Sequence, residues 1–364
     1  IALLFILFIF SACGGGAAPP DVVTPPGPEP TASEKLAADL SGLSLVDFHE
    51  VSFAALSYRS PEGIIWGGLT GVYPLDVVGL DDLSDSYQRE TFAMHQVVLD
   101  ALRTYDPTTL SADQRLTFDL YEWFLQDVVD RLEFIYYDFL ATYNFSGVQN
   151  QTQRFFTDIH PLATQQDALD YITRLNAMLT KFSQVSAYLT RQSGAGIIEP
   201  AITMDAALYY TGLIADGDVA GNPYYTGFRD KIDSIPGLSM ADRDSLLASA
   251  REAVSNSVIP AYEGLRQTMN GLRPNAPAAI GVGQYPRGTE FYNYVLRHRT
   301  TTNLTASQIH QLGLDELQRI HAEMRVIFDD LGYPQNVSWQ VLYALVETEG
   351  GIIPAADVKA TYEA

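Results

Sequence analysis

From Leu36 onward, polar and apolar positions alternate with a helical period, and Gly or Pro separates one amphipathic run from the next. The run "LSADQRLTFDLYEWFLQDVVDRLEFIYYDFL" opens on Ser111 with Gln114 in the capping-box position. It carries Leu116, Leu120, Phe124 and Val128 at helical spacing, which predicts a helix with that stripe turned inward. "TQQDALDYITRLNAMLTKFSQVSAYLTRQSGAG" repeats the logic as one helix from Thr164 and Asp167 to Gly194. A third run starts at Ser239 with Asp242, and Pro260 is expected to kink or break it. The most complete set of signals lies in "NLTASQIHQLGLDELQRIHAEMRVIFDDLGYP". Thr305 caps, Gln308 reaches back, and Leu304 with Ile309 forms a hydrophobic staple. The stripe Ile309, Leu312, Leu317, Ile320, Met324, Ile327 and Phe328 then runs until Gly332 and Pro334, which predicts a long core helix.

Strand signals are scarce, and no glycine-rich phosphate loop follows a strand. Neither a fixed-period repeat nor an internal linker interrupts residues 36–364, so the expected architecture is a single large all-α domain of long amphipathic helices. "SPEGIIWGGLTGVYPLDVVGLDDLSD" and "DGDVAGNPYYTGFRD" are expected as surface loops, lining a cleft.

The N-terminal residues follow other rules. "IALLFILFIF" followed by Ser11, Ala12 and Cys13 has the apolar core and cleavage box of a bacterial lipoprotein signal peptide, and it falls short of the ~20 residues a bilayer span needs. Cys13 is therefore the expected lipidation site, with residues 1–13 a partial signal peptide. Residues 14–35, rich in Gly and Pro, form a tether that holds the domain of residues 36–364 off a membrane in the cell envelope. As the sole cysteine, Cys13 also excludes an internal disulfide framework. Lys+Arg 22 against Asp+Glu 44 gives a net charge of -22, which repels phosphate backbones and excludes nucleic acid as a partner.

Candidate chemistry is sparse. His49-Glu50 is the chain's one His-Glu pair, but Phe53 stands where a zinc helix needs its second histidine. His310 and His321 lie ~16 Å apart along one helix, too far to share an ion. Tyr292, Tyr294, Arg297, His298 and Arg299 crowd one segment. Such a cationic and aromatic patch suits a carboxylate or peptide end, unless its arginines pair with nearby carboxylates.

The stretch from Gly288 through "FYNYVLRHRTTTNLTASQIHQLGLDELQRIHAEM" resembles the bacterial family catalogued as domain of unknown function 885. Gly288 and Tyr292 match its first block, and Thr301, Leu304, Thr305, Ile309, His310, Gly313, Leu314 and Glu316 its second. The resemblance implies a mostly helical, exported or lipid-anchored protein similar to zinc-dependent metallopeptidases. Their H-E-x-x-P-G-H-H and E-G-W segments do not occur here. The catalytic zinc segment is thus expected beyond residue 364, with no metal ligand and no catalytic residue in this chain. Tyr292 and Arg297 are the expected substrate contacts, the substrate a peptide, and the isolated chain inactive. The alternative is a non-catalytic surface lipoprotein that captures carbohydrate or peptide for uptake, with aromatic loops such as "NPYYTGF" stacking on sugars.

Overall fold

The computed structural model describes residues 29–70, 78–142, 146–350 and 358–363. Cys13 and most of the expected tether lie outside them. All regular elements of the described residues are helices: α1 (Ala32–Asp39), α2 (Leu45–Ser57), α3 (Pro61–Trp66), α4 (Asp85–Leu102), α5 (Ala112–Arg131), α6 (Val148–Arg154), α7 (Gln165–Asn176) and α8 (Met178–Gly194). There follow α9 (Ala201–Ala215), α10 (Pro223–Ile232), α11 (Met240–Ala253), α12 (Ile259–Leu272), α13 (Gly288–Thr300), α14 (Ala306–Asp330), α15 (Trp339–Gly350) and α16 (Val358–Glu363). None of them is long and apolar enough to cross a membrane. Helix α1 starts at Ala32 under a Thr31–Glu34 capping box, so the helical body begins before the expected tether boundary at residue 35.

The predicted caps form as drawn. Ser111 and Gln114 close a reciprocal box on α5, Thr164 and Asp167 on α7, and Thr305 and Gln308 on α14. One predicted continuous helix is interrupted, and the run expected to kink or break at Pro260 does so just before it. The run from Thr164 to Gly194 breaks at Ala177, whose N–H reaches both Thr173 O and Arg174 O. Before Pro260 the chain widens into a π turn over Val254–Val258, with the Ile259 N–H reaching back to Val254 O. That turn accommodates the donor that proline lacks.

Three apolar cores result, and two of them carry most of the fold. In the first, α1, α2, α4 and α5 bury Leu36, Phe48, Val98, Leu99, Leu102, Phe118 and Leu125. In the larger one α12 lies against α8 and α9, and Phe156, Tyr171, Phe182, Tyr224, Phe228 and Tyr262 are fully buried. The buried tyrosine hydroxyls are satisfied internally: Tyr171 donates to Tyr224 O at 2.9 Å, Tyr224 and Tyr262 share a bond of 2.7 Å, and Tyr262 donates to Gln149 O at 2.5 Å. "NPYYTGF" is therefore not a loop. Asn222 caps α10, Pro223 sits in its first turn where no N–H is required, and Tyr224, Tyr225 and Phe228 enter the core. Of the expected loop at residues 60–85, Pro61–Trp66 is helical, and residues 71–77 lie outside the described residues. Glu62 of α3 is buried and takes Lys181 Nζ on both oxygens at 2.6 Å.

The long helix α14 differs most from its prediction. Its length and caps hold, but Phe328 is its one buried side chain; Leu312 is 52% exposed, Leu317 48% and Ile327 56%. It is not a core helix in this chain, because among the described residues only its end at Phe328 is covered, by Trp339 and Tyr333.

Candidate functional site

The segment that carries the family-like motif folds as α13 and the start of α14, and α13 lies between two left-handed residues, Arg287 (φ 58°) and Thr301 (φ 52°). These are the two non-glycine positive-φ residues among the described residues, and for a β-branched threonine that conformation is strained. Phe291, Tyr294, Val295 and His298 fall on one face of α13. Tyr294 stacks on Phe134 at 5.6 Å inside a small third core with Tyr137, Ile197 and Tyr285. That packing aims the end of α13 at the last turns of α5.

There the two helices exchange polar contacts. His298 Nδ1 lies 2.7 Å from Asp127 Oδ2. A carboxylate only accepts, so Nδ1 carries the hydrogen and donates it. Nε2 has no partner among the described residues, and the His298 side chain is partly open to solvent. Asp127 is buried; it also receives Tyr294 OH, at 3.2 Å on its carbonyl and 3.4 Å on Oδ2, while Oδ1 has no hydrogen-bond partner among the described residues. Burial, together with the Asp127 charge, pushes the Tyr294 phenol up to about 12, so Tyr294 serves as a donor.

One turn before Asp127, α5 and α2 leave a groove of about 480 Å³. His49, Glu50, Phe53, Leu120, Tyr121 and Phe124 line it. The α5 stripe expected to face inward in fact faces this groove: Leu120 is 61% exposed and Phe124 46%, while Phe118 and Leu125 fill the core instead. The His49 ring packs edge-on against Tyr121 at 5.5 Å, and burial lowers its proton affinity. At 100° per residue, Leu120, Phe124 and Asp127 fall within about 60° of one another on α5.

Of the expected substrate contacts, Tyr292 points outward and Arg297 is held by Asp130 at 2.5 Å, with its guanidinium 5.7 Å from the Tyr294 ring. Neither is brought to the groove. His310 is exposed and His321 stacks on Trp339 at 4.5 Å, so they do not flank a buried stripe. Asp127 escaped sequence reasoning because nothing local marks it; it meets His298 only through the fold. No three His, Cys, Asp or Glu side chains converge among the described residues. The donors described here thus do not fit the zinc ion that the family resemblance implies.

A family model described as "Bacterial protein of unknown function (DUF885)" matches residues 68–361. Among solved structures, the fold is similar to that of "the putative lipoprotein from Colwellia psychrerythraea", with a TM-score of 0.65 and 21% identity over 85% of this chain and 52% of that one. The chain thus spans about half the length of the solved structure it matches. No curated protein matches it.

Proposed function

The chain belongs to the bacterial DUF885 family, and from that premise we propose that it is the helical, ligand-contacting half of an envelope-anchored, peptidase-like hydrolase. The metal-binding segment then lies in sequence outside these 364 residues. What carries the reading is α14, a capped 25-residue helix on which Leu312, Leu317, Ile320 and Ile327 of the apolar stripe are left in water. Covering one leucine or isoleucine gains roughly 1.5–3 kcal/mol, so a stripe of this length is a surface made for a partner. The matched Colwellia structure, of which the match covers 52%, has further chain to supply one. Zinc belongs to that outside segment in this reading, because the donors described here do not converge on an ion. Anchoring through lipidated Cys13 at the membrane follows from the cleavage box, and the description of the Colwellia protein as a lipoprotein supports it.

The test is made on the continuous open reading frame. Stoichiometric zinc and chelator-sensitive cleavage within a broad peptide library are expected from the longer protein, and no cleavage from this chain alone. A longer protein with neither metal nor cleavage sinks the hydrolase reading and leaves non-catalytic capture. The "NPYYTGF" stretch does not support sugar capture, since Tyr224 and Tyr225 are buried.

A further inference from the structure

Helix α9 is apolar on two opposite faces, and only one of them is covered. Met204, Ala207, Thr211 and Ile214 are buried, while Ile202 is 69% exposed, Tyr209 63% and Leu213 56%. At 100° per residue those three outward side chains fall within about 40° of one another. Exposed Tyr210 follows Tyr209. The loop at residues 276–281 is tied to the start of the helix by the Ala201 N–H on Pro277 O at 2.8 Å, and it adds Ile280, also exposed. An ordinary surface helix turns charged and polar residues outward, whereas one that is apolar all round belongs inside a larger core or at a membrane. We propose that the outer face of α9 is a second membrane contact, which rests on the interface of a bilayer of zwitterionic lipids and gives the anchored body one orientation. This contact adds to the anchoring through Cys13 proposed above and rests on that reading.

Three observations favour a bilayer over a protein as the occupant. The first is charge. Ala201–Ala215 holds one charged residue, Asp205, and residues 274–286 hold none, in a chain of net charge -22. Asp205 is bonded by Arg273 Nε at 2.5 Å, and Asp216, just past the helix, takes Arg266 Nη1 on both oxygens at 2.7 Å. The edge of the face is thus neutralised by ion pairs, which suits a zwitterionic surface and gives an anionic one no hold. The second is residue type. Tyr209 and Tyr210 each pair an apolar ring with a polar tip, the combination enriched where hydrocarbon meets water. The third is area. At about 150–200 Å² for a whole large side chain, the exposed parts of Ile202, Tyr209, Tyr210, Leu213 and Ile280 come to roughly 500–600 Å². A stable protein interface takes about 800 Å² from each partner. An anchored chain needs less. The stretch from Cys13 to Thr31 reaches at most about 60 Å, so the anchor holds the face near the bilayer at high effective concentration.

The test couples the chain beginning at Cys13, through that sole cysteine, to a maleimide lipid in phosphatidylcholine–phosphatidylethanolamine vesicles with brominated acyl chains. Tyr209→Trp supplies an indole on the face, and the parent protein, with Trp66, Trp123 and Trp339, supplies the background. The variant is expected to show blue-shifted emission and more bromine quenching than the parent, unchanged by high salt and not increased by anionic lipid. Ile202→Ser with Leu213→Ser, added to Tyr209→Trp, changes only exposed side chains and is expected to abolish the extra quenching. No extra quenching, extra quenching that the serine pair leaves intact, or extra quenching that requires anionic lipid overturns the proposal. So does a dimer in solution that the serine pair dissociates, because the face then holds a second copy. An indole already blue-shifted and shielded from aqueous quenchers in the longer protein without lipid also overturns it, because the outside segment then covers α9. Mass spectrometry of the protein isolated from the bacterium reads the anchor separately: an unacylated Cys13, with the extra quenching retained on coupled vesicles, defeats the anchoring alone.

Discussion

Replacing Lys181 by methionine is expected to destabilise the protein by about 3–5 kcal/mol, a large share of the stability of a typical domain. Lys181 and Glu62 are both buried, and the ammonium bonds both carboxylate oxygens at 2.6 Å. Methionine fills the same channel but leaves Glu62 as an uncompensated charge beside Asp81, which already accepts the Glu62 N–H at 3.0 Å. The pH dependence identifies the cause. Burial holds the Glu62 carboxyl above the usual carboxylate range, with Lys181 pulling against it. A folded pKa above the unfolded one means the group favours folding when protonated and loses that contribution as pH rises through the folded value. Without Lys181 the carboxyl rises further, so the deficit of Lys181→Met is full near neutrality and shrinks as pH falls toward the unfolded carboxylate range. Urea unfolding of both proteins at several pH values reads the difference. A deficit that does not change with pH removes Glu62 as its origin, and Lys181→Met with Glu62→Leu is expected to recover most of the loss.

That pair also shows where sequence reasoning stops. Helix starts were legible because a cap is a local event: the Ser111, Thr164 and Thr305 boxes each close within three residues. The direction an apolar stripe faces is not local. Leu120 and Phe124 sit at the same period as Phe118 and Leu125, and only the placement of α2 and α4 decides which set is covered. "NPYYTGF" misled for a related reason. Its Asn and Pro resemble loop punctuation, yet they are also an N-cap and a first-turn proline, and only the burial of Tyr224 separates the two. Of the candidate site, the motif pointed to the right helix and included His298. Its partner Asp127 lies 171 residues away, beyond any spacing rule.

The two motif glycines, Gly288 and Gly313, are expected to respond to alanine in opposite directions. At Gly288 an added Cβ meets Val282 O at 1.9 Å and Val282 C at 2.8 Å, both backbone atoms that no side-chain rotation moves away. Gly288→Ala is expected to cost about 3 kcal/mol, the top of the ordinary overpacking range, by forcing the first turn of α13 off the turn at residues 282–284. Because α13 carries His298, the same substitution is expected to separate His298 from Asp127. At Gly313, in the middle of exposed α14, an added Cβ meets nothing within 4 Å and the backbone is helical. Gly313→Ala is expected to stabilise this chain by about 1 kcal/mol through helix propensity. A glycine with no steric duty in an exposed helix has its reason in whatever covers that helix. If the rest of the longer protein packs on α14, Gly313→Ala destabilises that protein while stabilising this chain. Thermal melts of the four proteins decide the matter, and stabilisation in both lengths would mean that the α14 face is never covered near Gly313.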